Sequence, residues 1–421
     1  MPSNAWIVAA DMGYGHGRAA QPLRHLSPSG EIINANNYPG IPKKDLAYWN
    51  NIREWYEVIS RFRSVPIIGA AVFGLMDNFQ KIKAYHPEVR DTAPTMQLRQ
   101  TYRAIRRGLG RHLIETLNKN PFPLVSTFFS AAYIAEEQGY QGDIYLVACD
   151  SDVSRSWAPL KPQTSRINYC VPSEHVAGRL ETYGVRPEMI HVTGFPLPVE
   201  NVGLHREVVQ RDLARRLKNL DPYGLHVDDY REFKKADNNH QPLTITYAVG
   251  GAGALAELGT TIISSLAGEL RKNTLRLRLV AGVRSEVRDQ FQRFCEGNGF
   301  KDLLGKNISI YYFENKKQYF QGFNELIRDT DILWTKPSEL VFYAGFGLPI
   351  IMAPALGSQE DANQAWLLST GAGVRQCDPE CTHEWLIEWI ESGVLAQTAL
   401  NGYRHGNLEG VKNIGKLIAH K

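Results

Sequence analysis

The chain has 421 residues, more than one hydrophobic core serves comfortably, so two domains of ordinary size are the starting expectation. Hydrophobic residues at 43% and charged residues at 22% exclude general disorder. A formal net charge of +3 is too small for a nucleic-acid binder working through overall charge, so any anionic partner must meet a local patch. Five scattered cysteines, Cys149, Cys170, Cys295, Cys377 and Cys381, are unlike a disulfide framework and fit a reducing cytoplasm. Cys377 and Cys381 lack the second ligand pair that a zinc site needs. The amino-terminus enters a strand pattern without the basic and apolar segments of a signal peptide. The longest charge-free apolar stretch, 64–76, holds Pro66, Gly69 and Gly74 and falls short of the roughly 20 residues of a membrane span.

Apolar runs too continuous for in-out alternation predict buried parallel strands at 6–10, 124–127, 144–149, 167–171 and 190–193, with helical stretches between most of them. A second series at 243–248, 275–281, 308–313, 332–335 and 348–353 repeats the pattern. The fold class is therefore α/β, with one domain over 1–204 and another over 242–421. The segment 205–241, rich in charge and in the turn formers Asp221, Pro222, Gly224, Asn238 and Asn239, is the junction, with a helix over 206–217.

Region 45–117 is too long for a simple crossover and reads as an acceptor-recognition insert in the first domain. Leu46, Trp49, Ile52, Tyr56 and Ile59 recur at helical spacing, and Arg99, Arg103, Arg106, Arg107 and Arg111 align on one face of a later helix. An aromatic and a basic stripe suit an anionic membrane surface; the other reading is a core stripe beside a solvated face. Near the carboxyl end, Trp385, Leu386, Trp389 and Ile390 also have helical spacing, and this last stretch could pack back on the first domain.

The first strand runs into Gly13, Gly15 and His16, a glycine-rich turn whose N–H groups can approach a ligand. An imidazole at the carboxyl end of the first strand of an open α/β sheet is a general-base candidate; its alternative is a hydrogen bond within the turn. Asp150 and Asp152 follow a strand in the same way and could orient His16 or take a proton, Asp152 having helix capping as its alternative. In the second domain Gly250, Gly251 and Gly253 form another strand-to-helix turn, and Arg284 and Lys336 end neighbouring strands, so the group could neutralise a diphosphate. Pro337 is placed to start a helix that Gly347 and Pro349 stop, with Ser338 and Glu339 in its first turn. Glu339 has two readings, a ribose ligand or a favourable charge at the helix start. A polar loop over 357–363, with Gln359, Glu360 and Asn363, leads into a helix from Gln364 and suits sugar hydroxyls.

Together these residues resemble the GT-B glycosyltransferases, and within them the monogalactosyldiacylglycerol synthases and the lipid II-forming N-acetylglucosaminyltransferases. The resemblance covers nearly the whole chain. It rests on the glycine-histidine turn at 13–18, on Val171-Pro172-Ser173-Glu174 followed by Val192-Thr193-Gly194-Phe195-Pro196, on Thr335-Lys336 leading to Gly347-Leu348-Pro349, and on 357–363. It implies two Rossmann-like domains facing across a cleft, the first receiving the acceptor and the second the nucleotide sugar, without an obligatory metal or other cofactor. By position, His16 matches the family's loop histidine, Asp150 its acceptor-side aspartate region, Phe313 the neighbourhood of the base, and Gln359, Glu360 and Asn363 the sugar and ribose loop. The segment between Lys336 and Gly347 departs from the pattern: it lacks the usual glycines and is shorter, and a shifted register would align Phe342 in place of Glu339.

The expected activity is transfer of a hexose or N-acetylhexosamine from a nucleotide diphosphate sugar, UDP-linked, to a hydroxyl of a lipid or amphipathic acceptor. The resemblance also implies a cytoplasmic protein peripheral to the inner membrane face, with no nucleic-acid partner. The alternatives are a sugar-nucleotide epimerase or hydrolase of the same fold and a non-catalytic nucleotide-sugar sensor.

Overall fold

The computed structural model describes residues 4–62, 82–231, 233, 242–250, 253, 255–355 and 357–419. The apolar stretch 64–76, Asn238, Asn239 and Gly251 lie outside the described residues, as do the side chains of Tyr56 and Ile59. The chain forms two compact units: Met1–Leu197 with Gly357–Asn363 and Asn407–Lys421, and Pro198–Leu356 with Gln364–Gly406.

In the first unit six strands, β1 (Trp6–Ala9), β2 (Ile33–Asn34), β3 (Leu124–Ser126), β4 (Ile144–Val147), β5 (Ile167–Val171) and β6 (Ile190–Val192), form one parallel sheet in the order β2-β1-β3-β4-β5-β6. Every residue of β3, β4 and β5 is buried, which is why these strands read as unbroken apolar runs. Ile7, Ala9, Val125, Tyr145 and Val147 share a core with Val411, Ile414 and Ile418 of the carboxyl-terminal helix Gly410–Ala419. Gly410 begins that helix against the Phe195 backbone, where a Cβ would collide with the carbonyl oxygen.

The second unit repeats the plan with β7 (Leu243–Ala248), β8 (Leu275–Gly282), β9 (Ile308–Tyr312), β10 (Ile332–Thr335), β11 (Ile350–Met352) and β12 (Gly373–Arg375), all parallel, ordered β12-β11-β10-β7-β8-β9. Buried Arg216 pins its loops: Nε, Nη1 and Nη2 donate to the carbonyls of Thr330, Phe346 and Ile327, each at 2.7 Å. Burial, with Arg215 beside it, lowers its pKa to about 10, which still leaves it charged at neutral pH.

Several elements differ from the sequence expectation. The boundary falls at Leu197, before the predicted junction, because the helix over Glu207–Leu220 sends Val209, Leu213 and Leu217 inward and belongs to the second unit. The Trp385 helix, Thr382–Glu391, lies in the second unit's core, where Trp385 meets Trp334 with ring centroids 5.3 Å apart, while the last helix, Gly410–Ala419, belongs to the first unit. Residues 357–363 are no loop: the helix begins at Ser358 and runs to Ser369, with Glu360 and Asp361 in the first turn, where negative charge is favourable. Lys336 is followed by a 3-10 helix, Glu339–Phe346, closed by Gly347 at φ +63°. The helix Lys43–Phe62 carries the aromatic stripe, but Trp49 is buried against Phe128, with centroids 6.2 Å apart, so that residue is core. Among the described residues no helix is long and apolar enough to cross a membrane.

Asp152, just past β4, caps no helix. Its carboxylate accepts from Arg179 Nε at 2.8 Å and Nη2 at 2.6 Å, and lies 3.0 Å from His175 Nε2. Burial pushes this carboxyl up, but the hydrogen bonds from His175 and Arg179 and the guanidinium charge outweigh it and hold the group below the usual carboxylate range. Arg179 is itself buried and lies 4.9 Å over the Tyr85 ring, which ties the segment before the helix Met96–Arg106 to this cluster. Asp152→Ala leaves Arg179 buried without its counter-charge and is expected to cost about 3–5 kcal/mol in urea unfolding. Because the folded-state pKa lies below the unfolded value of about 3.9, the stabilisation is complete above that pH and is lost as pH falls through the folded pKa. An acid titration of wild type and variant measures this as a gap in stability that closes only below about pH 4.

Candidate functional site

The order of the first sheet is the flavodoxin-like one extended by a strand, and it turns back between β1 and β3, where the carboxyl ends open a crevice. Gly13, at φ +121°, bends the chain there; no atom lies within 4 Å of the position a Cβ would take, so backbone conformation and not space calls for glycine. Asn36 holds the turn from the β2 side: Asp11 N–H donates to its Oδ1 at 2.8 Å and its Nδ2 donates to the Asp11 carbonyl at 3.2 Å. Gly15 then begins the short helix Gly15–Ala20 and delivers His16.

His16 Nδ1 lies 2.7 Å from the carbonyl oxygen of Thr127, immediately after β3, and Thr127 Oγ1 donates to the His16 carbonyl at 2.8 Å. A carbonyl only accepts, so Nδ1 carries the proton and Nε2 carries the lone pair in the neutral ring. The ring packs edge-on to Phe128, with centroids 4.7 Å apart. It helps to line a cavity of about 90 Å³ with Met12, Phe128, Phe129, Ser154, Ser156, Trp157 and Gln359. Met12, Phe128, Phe129 and Trp157 supply the apolar part of the wall, and His16, two serines and Gln359 supply the polar groups. Such a site can enclose a hydroxyl-bearing group and take its proton.

Cys149 Sγ also donates to the Thr127 carbonyl, at 3.4 Å, and leads directly to Asp150. Asp150 Oδ1 accepts from Asn363 Nδ2 at 3.1 Å, and Ser151 N–H donates to Asn363 Oδ1 at 2.9 Å. Asn363 is wholly buried, and its amide is committed to this strand end. Gln359, one helical turn earlier, reaches the cavity, while Glu360 is half-buried in the first turn.

The second unit has its own turn-back point between β7 and β10, in the classical dinucleotide-fold order. Gly250 follows β7 and Lys336 follows β10, and they meet: a Cβ on Gly250 would collide with Lys336 Cε. The missing side chain lets the lysine stem lie across the turn. Thr335 Oγ1 donates to the Ala248 carbonyl at 3.1 Å and fixes the two strand ends together. Gly253 closes the turn at φ +72°. Arg284 leaves the end of the neighbouring strand β8, 3.6 Å from Glu286, at the start of the helix Ser285–Gly297. Phe313 follows β9, bonded through its N–H to the Gly282 carbonyl at 2.9 Å, and its ring packs on Tyr319 and fits over Gly322. Ser338 precedes the 3-10 helix without a side-chain cap, Glu339 is buried in its first turn, and Phe342 packs on Trp366, with centroids 5.3 Å apart. Phe342 is therefore core.

Gly250, Arg284, Phe313 and Lys336 thus share one sheet edge, whereas Gly13, Gly15, His16, Asp150, Gln359, Glu360 and Asn363 belong to the first unit. Sequence reasoning missed Thr127, Phe128, Phe129 and Trp157. The available signal was the pair of aromatics directly after β3, at the same sheet edge as His16.

A family model described as a domain of unknown function, DUF6938, matches residues 289–398. The rice protein named probable monogalactosyldiacylglycerol synthase 2, chloroplastic, from Oryza sativa subsp. indica is 24% identical over 257 residues, 60% of this chain and 48% of its own. Its namesake from subsp. japonica has the same identity and coverage, so the chain spans about half the length of the curated relatives it matches. Among solved structures, MurG of Acinetobacter baumannii aligns over 100% of both chains with a TM-score of 0.52 at 14% identity. A Listeria monocytogenes structure described as a UDP-N-acetylglucosamine 2-epimerase gives 0.51 at 11% identity, over 100% of this chain and 95% of that one. These likenesses establish the fold: two Rossmann-like units of the GT-B kind.

Lys336→Ala is expected to weaken binding of UDP, used as an anionic probe, by about tenfold or more, the loss of one charged hydrogen bond. Gly250→Ala should leave stability within about 1 kcal/mol, since only a flexible lysine stem must move, yet weaken UDP in the same direction by displacing Lys336. Calorimetric titration beside a thermal melt separates the two effects, and wild-type UDP affinity in Gly250→Ala would contradict the arrangement.

Proposed function

We propose that this chain is a glycosyltransferase that moves a hexose or N-acetylhexosamine from a UDP-sugar to a hydroxyl of a lipid or amphipathic acceptor. The observation that carries the reading is His16, whose Nδ1 is tied to the Thr127 carbonyl so that Nε2 is the basic nitrogen, in an aromatic-walled cavity at a strand turn-back point. In this reading Nε2 takes the acceptor's hydroxyl proton and the oxygen attacks the sugar's anomeric carbon. The bond from that carbon to the β-phosphate oxygen breaks, and UDP leaves with the electron pair. Lys336, Arg284 and the N–H groups of Gly250 and Gly253 meet the charge that develops on the diphosphate, with no metal or other cofactor, while Phe313 borders the base and Ser338 and Glu339 the ribose. Gln359 and Glu360 serve sugar hydroxyls. The rice relatives' name, a synthase of a galactosylated diacylglycerol, supports a glycolipid product. The apolar cavity walls support an amphipathic acceptor.

Thermal melts with UDP-, GDP-, ADP- and TDP-sugars test the donor, since a ligand that binds only the native state raises the midpoint. A selective shift with UDP-sugars, kept in His16→Ala while turnover falls by about 10²–10⁴-fold, is the expected result. Near-normal turnover in a folded His16→Ala would refute the base assignment. A second reading, a sugar-nucleotide epimerase, draws on the likeness to the Listeria structure. It requires that a nucleotide sugar incubated alone with the protein return with an altered or hydrolysed sugar.

The acceptor class further suggests a cytoplasmic protein at an anionic membrane face. Arg99, Arg103, Arg107 and Arg111 are exposed, while Arg106 pairs with Glu137 at 3.1 Å. Lys44 Nζ and the Arg111 guanidinium both come within 4 Å of the position a Cβ would take on Gly108, concentrating positive charge there. Co-sedimentation with phosphatidylglycerol vesicles should fall as salt rises from about 0.1 to 1 M, which shortens the screening length from about 10 to 3 Å. It should also fall when Arg103, Arg107 and Arg111 become glutamine. Binding insensitive to both changes would exclude a charge-driven surface.

A further inference from the structure

Asn363 lies in the second turn of the helix Ser358–Ser369 and has no exposed surface. Its side chain bridges two consecutive residues past β4, donating from Nδ2 to the Asp150 carboxylate at 3.1 Å and accepting at Oδ1 from the Ser151 N–H at 2.9 Å. These partners allow one orientation only. Turned over, the amide would set its oxygen against a carboxylate and its NH2 against an N–H, replacing two attractions with two repulsions. A buried amide satisfied in both directions has no surface on which to receive a sugar hydroxyl. The same strand end is tied on its other side, through Cys149 Sγ, to the Thr127 carbonyl that orients His16.

We propose that Asn363 is a positioning residue for Asp150: a neutral donor that fixes the rotation of the carboxylate, in place of the donor-sugar contact its sequence position suggests. The inference rests on the reading of Asp150 as a member of the acceptor-side site.

The test is an exchange of the two side chains in the full-length protein. Asn363→Asp alone sets two carboxylates face to face, which raises the proton affinity of the pair in the folded state. Its thermal midpoint should fall by about 4 °C or more near pH 7.5. A folded-state pKa raised above the unfolded value adds stability as pH falls, so the deficit should shrink by about pH 5. In the double variant Asp150→Asn with Asn363→Asp, the new carboxylate accepts from both the Asn amide and the Ser151 N–H, so the midpoint should return close to wild type at both pH values. The extra stabilisation that a UDP-sugar gives over UDP should persist in Asn363→Ala. A deficit that ignores pH, a double variant no better than Asn363→Asp or unable to fold, or loss of that extra UDP-sugar shift in Asn363→Ala overturns the proposal. The underlying reading fails separately, if Asp150→Asn alone releases UDP from the nucleotide sugar at the wild-type rate.

Discussion

The candidate chemistry depends on one constraint of parallel sheets: where the strand order turns back, the connections leave toward opposite faces and the carboxyl ends stay open. In the first unit this happens between β1 and β3, and the group exposed by the constraint is a backbone carbonyl. Thr127 N–H still continues the ladder to the Val8 carbonyl, at 3.0 Å, but its own carbonyl has passed the last paired residue of β3 and turns to His16 Nδ1. A neutral carbonyl in that place sets the tautomer and orients the imidazole without adding charge of its own. In the second unit the same constraint brings Gly250 under Lys336, with a cation in place of the base.

This explains what was legible in the sequence. Buried parallel strands are continuous apolar runs, so most stood out, whereas β2 has only two residues and β12 begins on a glycine and ends on an exposed arginine, which leaves no apolar run. The placement of His16, Asp150 and Lys336 near strand ends was legible because those ends follow from the apolar runs. The Thr127 carbonyl was not, since every residue has one and the pairing spans 111 positions. Trp49 shows the limit from another side. An apolar stripe at helical spacing looks the same whether it faces lipid or Phe128, and only packing decides.

The shortened segment after Lys336 also has a physical account. Eight residues of 3-10 helix at about 2.0 Å each span about 16 Å, a length that takes an α-helix ten or eleven residues at 1.5 Å. A tighter helix can thus replace a longer one without moving either end. The neighbouring helix Val394–His405 accommodates it with glycines: a Cβ on Gly402 would collide with the Ala344 carbonyl, and one on Gly406 with Gly345 Cα. Arg216 bonds the Phe346 carbonyl at its end. The segment is closely packed, and Lys336 keeps its position because β10 remains paired with both β7 and β11.

Asp150 and Asp152, two positions apart on one strand end, were hard to separate from sequence because their residue types and spacing are equivalent. Their partners distinguish them. Asp152 is held by both nitrogens of a guanidinium fork and by His175, which lowers its proton affinity and suits it to anchoring, not to proton transfer. Asp150 Oδ1 accepts from a neutral amide, Asn363 Nδ2, which orients the carboxylate. What distinguishes the two carboxylates therefore comes from residues far away in sequence, Asn363 for one and Arg179 for the other.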